Sequence, residues 1–334
     1  MSINAKPRHA AFHRFAALLT LCGVVFAAPC AAQPAWKPER AVEIVVGSAA
    51  GGGNDKTGRT LLKIWQENKW LENAAVVNKV GGGGALAYTY TNQTAGDGHR
   101  IAVARTGLLT NHIQGLSPLN YTDMTPIAMI ADDPMSLTVR ADSPIKSVKD
   151  LVARWKTDPQ SVSISLGSSR GSTTHFLVAQ IAKMSGVDAR KLKVLTFGGG
   201  ADSVTNLLGG HIDMVALGPG NIVSHHKAGT MRMIAVASNK RLASLPEVPT
   251  VKEQGFDVVQ GGWTLIVGPK DLTPAQVAYW ENMLERVANH PEWKRSLQDD
   301  SAEWLFMKSQ ATREFLKKEY DTDRALLVEL GMVK

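Results

Sequence analysis

The chain has 334 residues and only two cysteines, Cys22 and Cys30, both within the first 32 positions. Everything downstream lacks the material for thiol catalysis, a disulfide framework or a cysteine metal site. Lysine and arginine form no run, so the footprint of a nucleic-acid-binding protein is missing. No apolar stretch reaches the ~20 residues that span a bilayer. No glycine run is followed by Gly-Lys-Ser/Thr, which excludes a P-loop, and Gly51-x-Gly53 carries Lys56 where a dinucleotide loop needs its third glycine.

What remains is an ordinary globular composition, 44% hydrophobic and 20% charged, in a chain long enough for two domains. Its beginning stands apart. Lys6, Arg8 and Arg14 precede an apolar run from Phe15 to Ala28, and Cys30-Ala31-Ala32 follows with no acid before it. That order predicts a secretory signal over residues 1–32, cleaved before Gln33, and a periplasmic protein. Cys30 follows Pro29, which argues against lipidation. Loss of the three bases lowers the formal net charge from +7 to +4, a mild bias toward anionic ligands.

Beyond the leader, short β-branched runs alternate with amphipathic segments, the pattern of an α/β protein with mostly parallel strands. Strands are expected at Val42–Val46, Arg100–Ala104, Ser136–Val139, Val162–Leu166, Val194–Phe197, Met214–Leu217, Met233–Ala237 and Thr264–Val267. Helices are expected at Thr57–Asn68, Thr174–Ser185 and Ala201–Leu208. Two more close the chain. One starts at a Thr273–Gln276 capping box with Pro274 at its first position and ends at Pro291; the other runs from about Ser309 to Leu330.

The informative glycines sit between strands and helices. Gly51-Gly52-Gly53-Asn54-Asp55, Gly81 to Gly84 with Ala85, Gly167 to Thr174, and Gly198-Gly199-Gly200 each follow a strand and open a helical stretch. In an open parallel sheet such turns lie at the carboxyl edge, where ligands bind. Glycine lets backbone approach a ligand, and helix N-termini offer unpaired N–H groups to an anion. The candidate ligand-binding residues are therefore Ser48, Gly52, Gly53, Asn54, Gly84, Ala85, Ser168, Ser169, Ser172, Thr173, Thr174, Gly198 and Gly199. Asn54 serves equally well as a local cap. Asp55 suits a cap of its own helix, because a carboxylate repels an anionic ligand; Asp55 and Asp213 join the set as acids that would meet an amine. Any one of these turns taken alone is also explained as a plain tight turn.

Enzyme readings have weaker support. Gly167-Ser168-Ser169-Arg170-Gly171 matches Gly-x-Ser-x-Gly with Ser169 as nucleophile, but the rest of the triad is weak: the late His290 ends a solvent-type helix before Pro291, and His225 and His226 fall earlier, in an apparent helix after Asp213. His211 and Asp213 share a strand face without a third ligand, and adjacent His225 and His226 cannot face one site on a helix. No metal, cofactor or catalytic residue is expected.

Taken together, the loops resemble a family. Val45-Val46-Gly47-Ser48-Ala49-Ala50-Gly51-Gly52-Gly53-Asn54-Asp55 with Arg59 is similar to the first binding loop of the receptors of tripartite tricarboxylate transporters, the Bug proteins. Asn78-Lys79-Val80-Gly81-Gly82-Gly83, Ala95-Gly96-Asp97-Gly98, Gly210-His211-Ile212-Asp213 and Leu245-Pro246-Glu247-Val248-Pro249-Thr250 also fit, as do Trp263 and Pro269. The resemblance implies a two-lobed periplasmic binding protein fold of type II-like architecture, each lobe a central sheet flanked by helices. It further implies a small carboxylate, organic, amino or aromatic, held between the lobes by backbone and hydroxyl groups. The partner is then the membrane subunits of such a transporter, or a sensor protein, and the receptor a monomer. Lobe 1 is expected at 34–138 plus 257–334 and lobe 2 at 139–256, hinged near Arg140–Ser143 and Gly255–Gly262. Gly47 and Ser48 replace the proline and aromatic usual in the family, Asn54 its threonine or serine, and Phe197 its tyrosine, which places the difference in ligand here. A secreted serine hydrolase using Ser169 and a stand-alone sensory receptor are the alternatives.

Overall fold

A computed structural model describes residues 36–333 except Ser168 and Gly198. The expected leader, with both cysteines, and the site candidates Ser168 and Gly198 lie outside the described residues. Among the described residues, eleven strands build two mixed sheets. They are β1 (Val42–Val46), β2 (Ala74–Asn78), β3 (Arg100–Ala104), β4 (Thr125–Pro134), β5 (Ser136–Arg140), β6 (Ile164–Ser165), β7 (Val194–Leu195), β8 (Met214–Leu217), β9 (Met231–Val236), β10 (Gly261–Gly268) and β11 (Glu303–Lys308). The first sheet has the order β11-β4-β10-β3-β1-β2, the second β7-β6-β8-β5-β9.

Parallel strand pairs join β2-β1-β3 and β7-β6-β8, the βαβ parts, with one isolated parallel bridge at Val236–Thr250. Antiparallel pairing enters where the chain passes between sheets, through β4, β5, β9 and β10. This is the two-lobed α/β architecture, with sheets more mixed than an alternating pattern alone suggests. The helices are α1 (Gly53–Glu67), α2 (Ala85–Asn92), α3 (Gly107–Ile113), α4 (Val148–Thr157), α5 (Thr173–Met184), α6 (Gly200–Leu208), α7 (Val223–Lys227), α8 (Pro274–Asn289), α9 (Pro291–Asp299) and α10 (Ser309–Glu329).

β4 and β5 form almost one continuous strand, interrupted at Met135. Gln260 accepts from the Met135 N–H at 3.0 Å, and the Met135 carbonyl accepts from the Ala237 N–H at 2.8 Å. The passage from one sheet to the other is thus a narrow bundle of extended backbone. Each sheet buries both faces: Val42, Ile44, Leu61, Trp65 and Trp280 pack on one side of the first, Val45, Leu109, Trp263 and Leu316 on the other. Phe176 of α5, a helix of the second lobe, is fully buried in that latter cluster and pins the lobes together. Elsewhere the lobes meet at Thr106 Oγ1–Thr173 Oγ1 (2.9 Å), Gln180–Gln260 (2.6 Å), Lys183–Glu329 (2.7 Å) and Ser244–Ser301 (3.2 Å). Among the described residues no helix is long and apolar enough to cross a membrane.

Candidate functional site

The carboxyl ends of β1, β3 and β8 open on one cavity of about 610 Å³. From the first lobe it is lined by Gly51, Gly52, Gly53 and Lys56, by Arg105 after β3, and by Asp133, Asp300 and Ser301. From the second come Gly199 to Asp202 at the start of α6 and Gly218 to Asn221 after β8. Met135 lies at the passage between. The first turns of α1 and α6 therefore enter the same space from opposite lobes. Their leading N–H groups have no intrahelical acceptor and carry the positive ends of two helix dipoles.

The turn before α1 is held by its own side chains. Gly51 is left-handed (φ 79°), a conformation open to glycine at no steric cost, and its N–H donates to Asp55 Oδ2 at 2.8 Å. Asp55 also accepts from Arg59 Nε (2.8 Å) and Asn78 Nδ2 (2.9 Å) while only 1% exposed. Arg59 above all, helped by the Gly51 and Asn78 bonds, holds its carboxyl down at about 2 against the cost of burial. Ser48 Oγ accepts from the Asp55 N–H at 3.1 Å and Ser48 O from Asn78 Nδ2 at 2.9 Å. Ser48 and Asp55 thus fasten the turn that carries Gly52 and Gly53 to the cavity, and neither lines the cavity itself.

Arg105 is the main cation of the wall. Its Nη1 pairs with Asp133 Oδ2, and its Nε donates to Asn54 Oδ1 at 3.1 Å. Thr264 Oγ1 donates to the same Asp133 oxygen at 3.2 Å. Burial lowers the guanidinium to about 10, which leaves it charged at neutral pH. Because the Asn54 oxygen faces Arg105, its amide nitrogen is the end left to donate elsewhere. Lys56 stands 3.6 Å from Asp300.

The remaining sequence candidates lie elsewhere. Gly84 is packed under Tyr88 and Gly47: a Cβ on Gly47 would stand 2.8 Å from Gly84 Cα. The Asn111 amide reinforces that turn by donating to Gly82 O at 2.7 Å. Ala85 begins α2 behind it. In the serine-rich turn the hydroxyls bond internally, Ser172 to Ser169 O (2.9 Å) and to Thr174 (2.8 Å), and Thr174 to Leu166 O (2.8 Å). Thr173 reaches across to Thr106. Ser169 is exposed. His175 nearby accepts from the Gly171 N–H at 3.0 Å, and burial pushes its imidazole down to about 4, so it braces the loop. Asp213 accepts from Ser163 N and Oγ at 2.8 and 2.5 Å, at the amino end of β8 and away from the cavity at that strand's other end.

The structure thus brings Gly52, Gly53 and Gly199 together and adds Arg105, Asp133 and the Gly218–Asn221 turn, which sequence reasoning missed. A glycine turn after the Met214–Leu217 strand was the available signal for the last; Arg105, directly after β3, carried none beyond its place at a strand end.

A model of the family described as tripartite tricarboxylate transporter family receptor matches residues 66–332. The chain is 29% identical over 313 residues to the UPF0065 protein in the gbd 5' region of Cupriavidus necator, covering 92% of this chain and 93% of that one. Among solved structures it resembles the periplasmic binding protein BugD, with TM-score 0.75 and 26% identity over 89% of this chain and 100% of that one. A Rhodopseudomonas palustris protein solved with adipate has TM-score 0.77 and 23% identity, covering 89% and 99%.

Proposed function

The chain belongs to the tripartite tricarboxylate transporter receptor family, and from that premise we propose that it captures a small carboxylate between its lobes. It is a periplasmic solute-binding receptor; the ligand, the site residues and the partner are the proposal. The observation that carries it is the convergence of the α1 and α6 N-termini, one from each lobe, on a single cavity of about 610 Å³. Two opposed helix starts with glycine at the leading positions offer backbone donors to a carboxylate at close range. The relative bound to adipate supports a carboxylate as the class of ligand.

Ser48 and Asp55 hold the first turn, in which the Gly52 N–H donates to Ala49 O at 3.0 Å; Gly53 and Gly199 present backbone, and Asn54 Nδ2 donates. The lobes hinge where the chain narrows, at Pro134–Ser136 rather than the expected Arg140–Ser143, which lies at the end of β5 in the second sheet, and at Gln260–Gly261 within the expected Gly255–Gly262; closure presents a joint surface to the membrane subunits of a transporter. Export by the N-terminal leader brings the receptor to the periplasm.

Thermal-shift measurement against a library of carboxylates tests the reading. A bound acid at a hundred times its Kd stabilises by about 2.7 kcal/mol, which for a protein of this size raises Tm by several degrees. No shift with any acid at millimolar concentration overturns it.

A further inference from the structure

We infer that the Arg105–Asp133 pair makes this a receptor for carboxylates of single net negative charge, with Arg105 as the specificity-determining residue. The inference rests on the carboxylate reading above and deepens it.

Arg105 stands at the wall shared by the interlobe cavity and a second recess of about 420 Å³ between α1 and α9. Its guanidinium is fixed on two sides, by Asp133 through Nη1 and by Asn54 through Nε. Among the described residues its Nη2 makes no hydrogen bond, so a residue lining both spaces keeps donors unspent. A guanidinium held this way is preorganised for a carboxylate oxygen, and its planar fork loses little freedom on binding.

The counter-charges set the limit. Asp133 already neutralises Arg105, and Lys56 faces Asp300 at 3.6 Å. Asp202, in the first turn of α6, has no ion-pair partner among the described residues. The cavity therefore shows two cations against three acids, and the two helix starts roughly offset the excess. One carboxylate meets Arg105 and the backbone donors of α1 at no net electrostatic cost. A second negative charge on the same small ligand has to approach Asp133 or Asp202, a like-charge contact that discriminates against it.

Isothermal titration with paired ligands of equal chain length, hexanoate against adipate and butyrate against succinate, reads this directly. Wild-type protein binds the monocarboxylate of each pair more than tenfold tighter. Asp133→Asn, which frees the Arg105 charge, narrows or inverts that ratio by about tenfold or more. Arg105→Met weakens every acid by about ten- to a hundredfold, and Arg105→Lys recovers part of the loss. Folding of each variant is checked by circular dichroism, and Arg105→Lys and Asp133→Asn keep the test intact if Arg105→Met fails to fold. Wild-type preference for the dicarboxylates, or an unchanged ratio in Asp133→Asn, overturns the inference while leaving carboxylate capture standing. Failure of the wild-type protein to bind any of the four, or any acid in the wider library, removes the underlying reading instead.

Discussion

Two glycine-rich turns leave neighbouring strands at the same edge of the first sheet, Gly51–Gly53 after β1 and Gly81–Gly84 after β2, and they do opposite work. At Gly51 and Gly53 an added Cβ would meet nothing within 4 Å, while at Gly52 between them it would press on Ser48 at 2.9 Å. Around the second turn it would meet protein on every side. Gly84 would press on the Tyr88 ring at 2.9 Å, and Gly107 would run into the Gly83 carbonyl. Gly51 and Gly53 of the first turn keep backbone bare toward open space; the second turn keeps it bare toward packed protein. Glycine content does not distinguish these uses, whereas the space beside each Cα does.

The contrast can be broken most forcefully at the packed turn. Gly107→Ala should destabilise the fold by about 3 kcal/mol in denaturant unfolding, because neither the α3 start nor the Gly83 carbonyl can move aside. A cost near zero would mean the second turn is loose. Next is the anchor of the open turn. Asp55→Asn keeps the shape but removes the charge that gathers Arg59, Gly51 and Asn78, at about 2 kcal/mol. The same carboxylate gives a pH signature. Its folded pKa of about 2 lies below the ordinary value of 3.8, so its contribution is complete above pH ~4 and lost as the pH falls through ~2. The variant should lack that acid-side slope in a stability–pH series.

Smaller still in stability is Gly53→Ala, expected within about 0.5 kcal/mol of wild type. Its added methyl points into the cavity, so carboxylate affinity should fall about tenfold in titration calorimetry, a loss of about 1.4 kcal/mol. Equal effects on fold and affinity would erase the distinction between the turns. Ser169→Ala should change neither Tm nor affinity, since among the described residues no side-chain bond of Ser169 holds the serine-rich turn; a binding loss there would extend the site to a third loop.

Much of this framework is legible in the sequence. β1, β3 and β8 fall on the expected residues because each is a short β-branched or apolar run bounded by turn residues. β4 is not readable that way: Pro126, Asp132, Asp133 and Pro134 lie within it, and proline and aspartate argue against a strand. Its burial between β10 and β11 overrides that local preference. α9 escapes for a related reason, since Pro291 ends one helix pattern and also occupies the first position of the next. At the site, glycine before a helix identifies the α1 and α6 starts, whose donors are backbone. Arg105 and Asp133 are invisible to such a pattern, because their partnership spans 28 residues and exists only once β3 and β4 flank β10.

That placement of β10 also dictates an order of assembly. The second sheet is complete once the chain has been made as far as Val236, and its pairings join strands within a contiguous stretch of about a hundred residues. The first sheet stays in two separate pieces, β2-β1-β3 and β4 alone, until Gly261–Gly268 arrives to bridge them and β11 follows as the last edge. A chain emerging from its amino end thus completes the sheet of the second lobe while the first sheet waits with unpaired edges, the interval in which a receptor of this topology is most exposed to aggregation and to proteases.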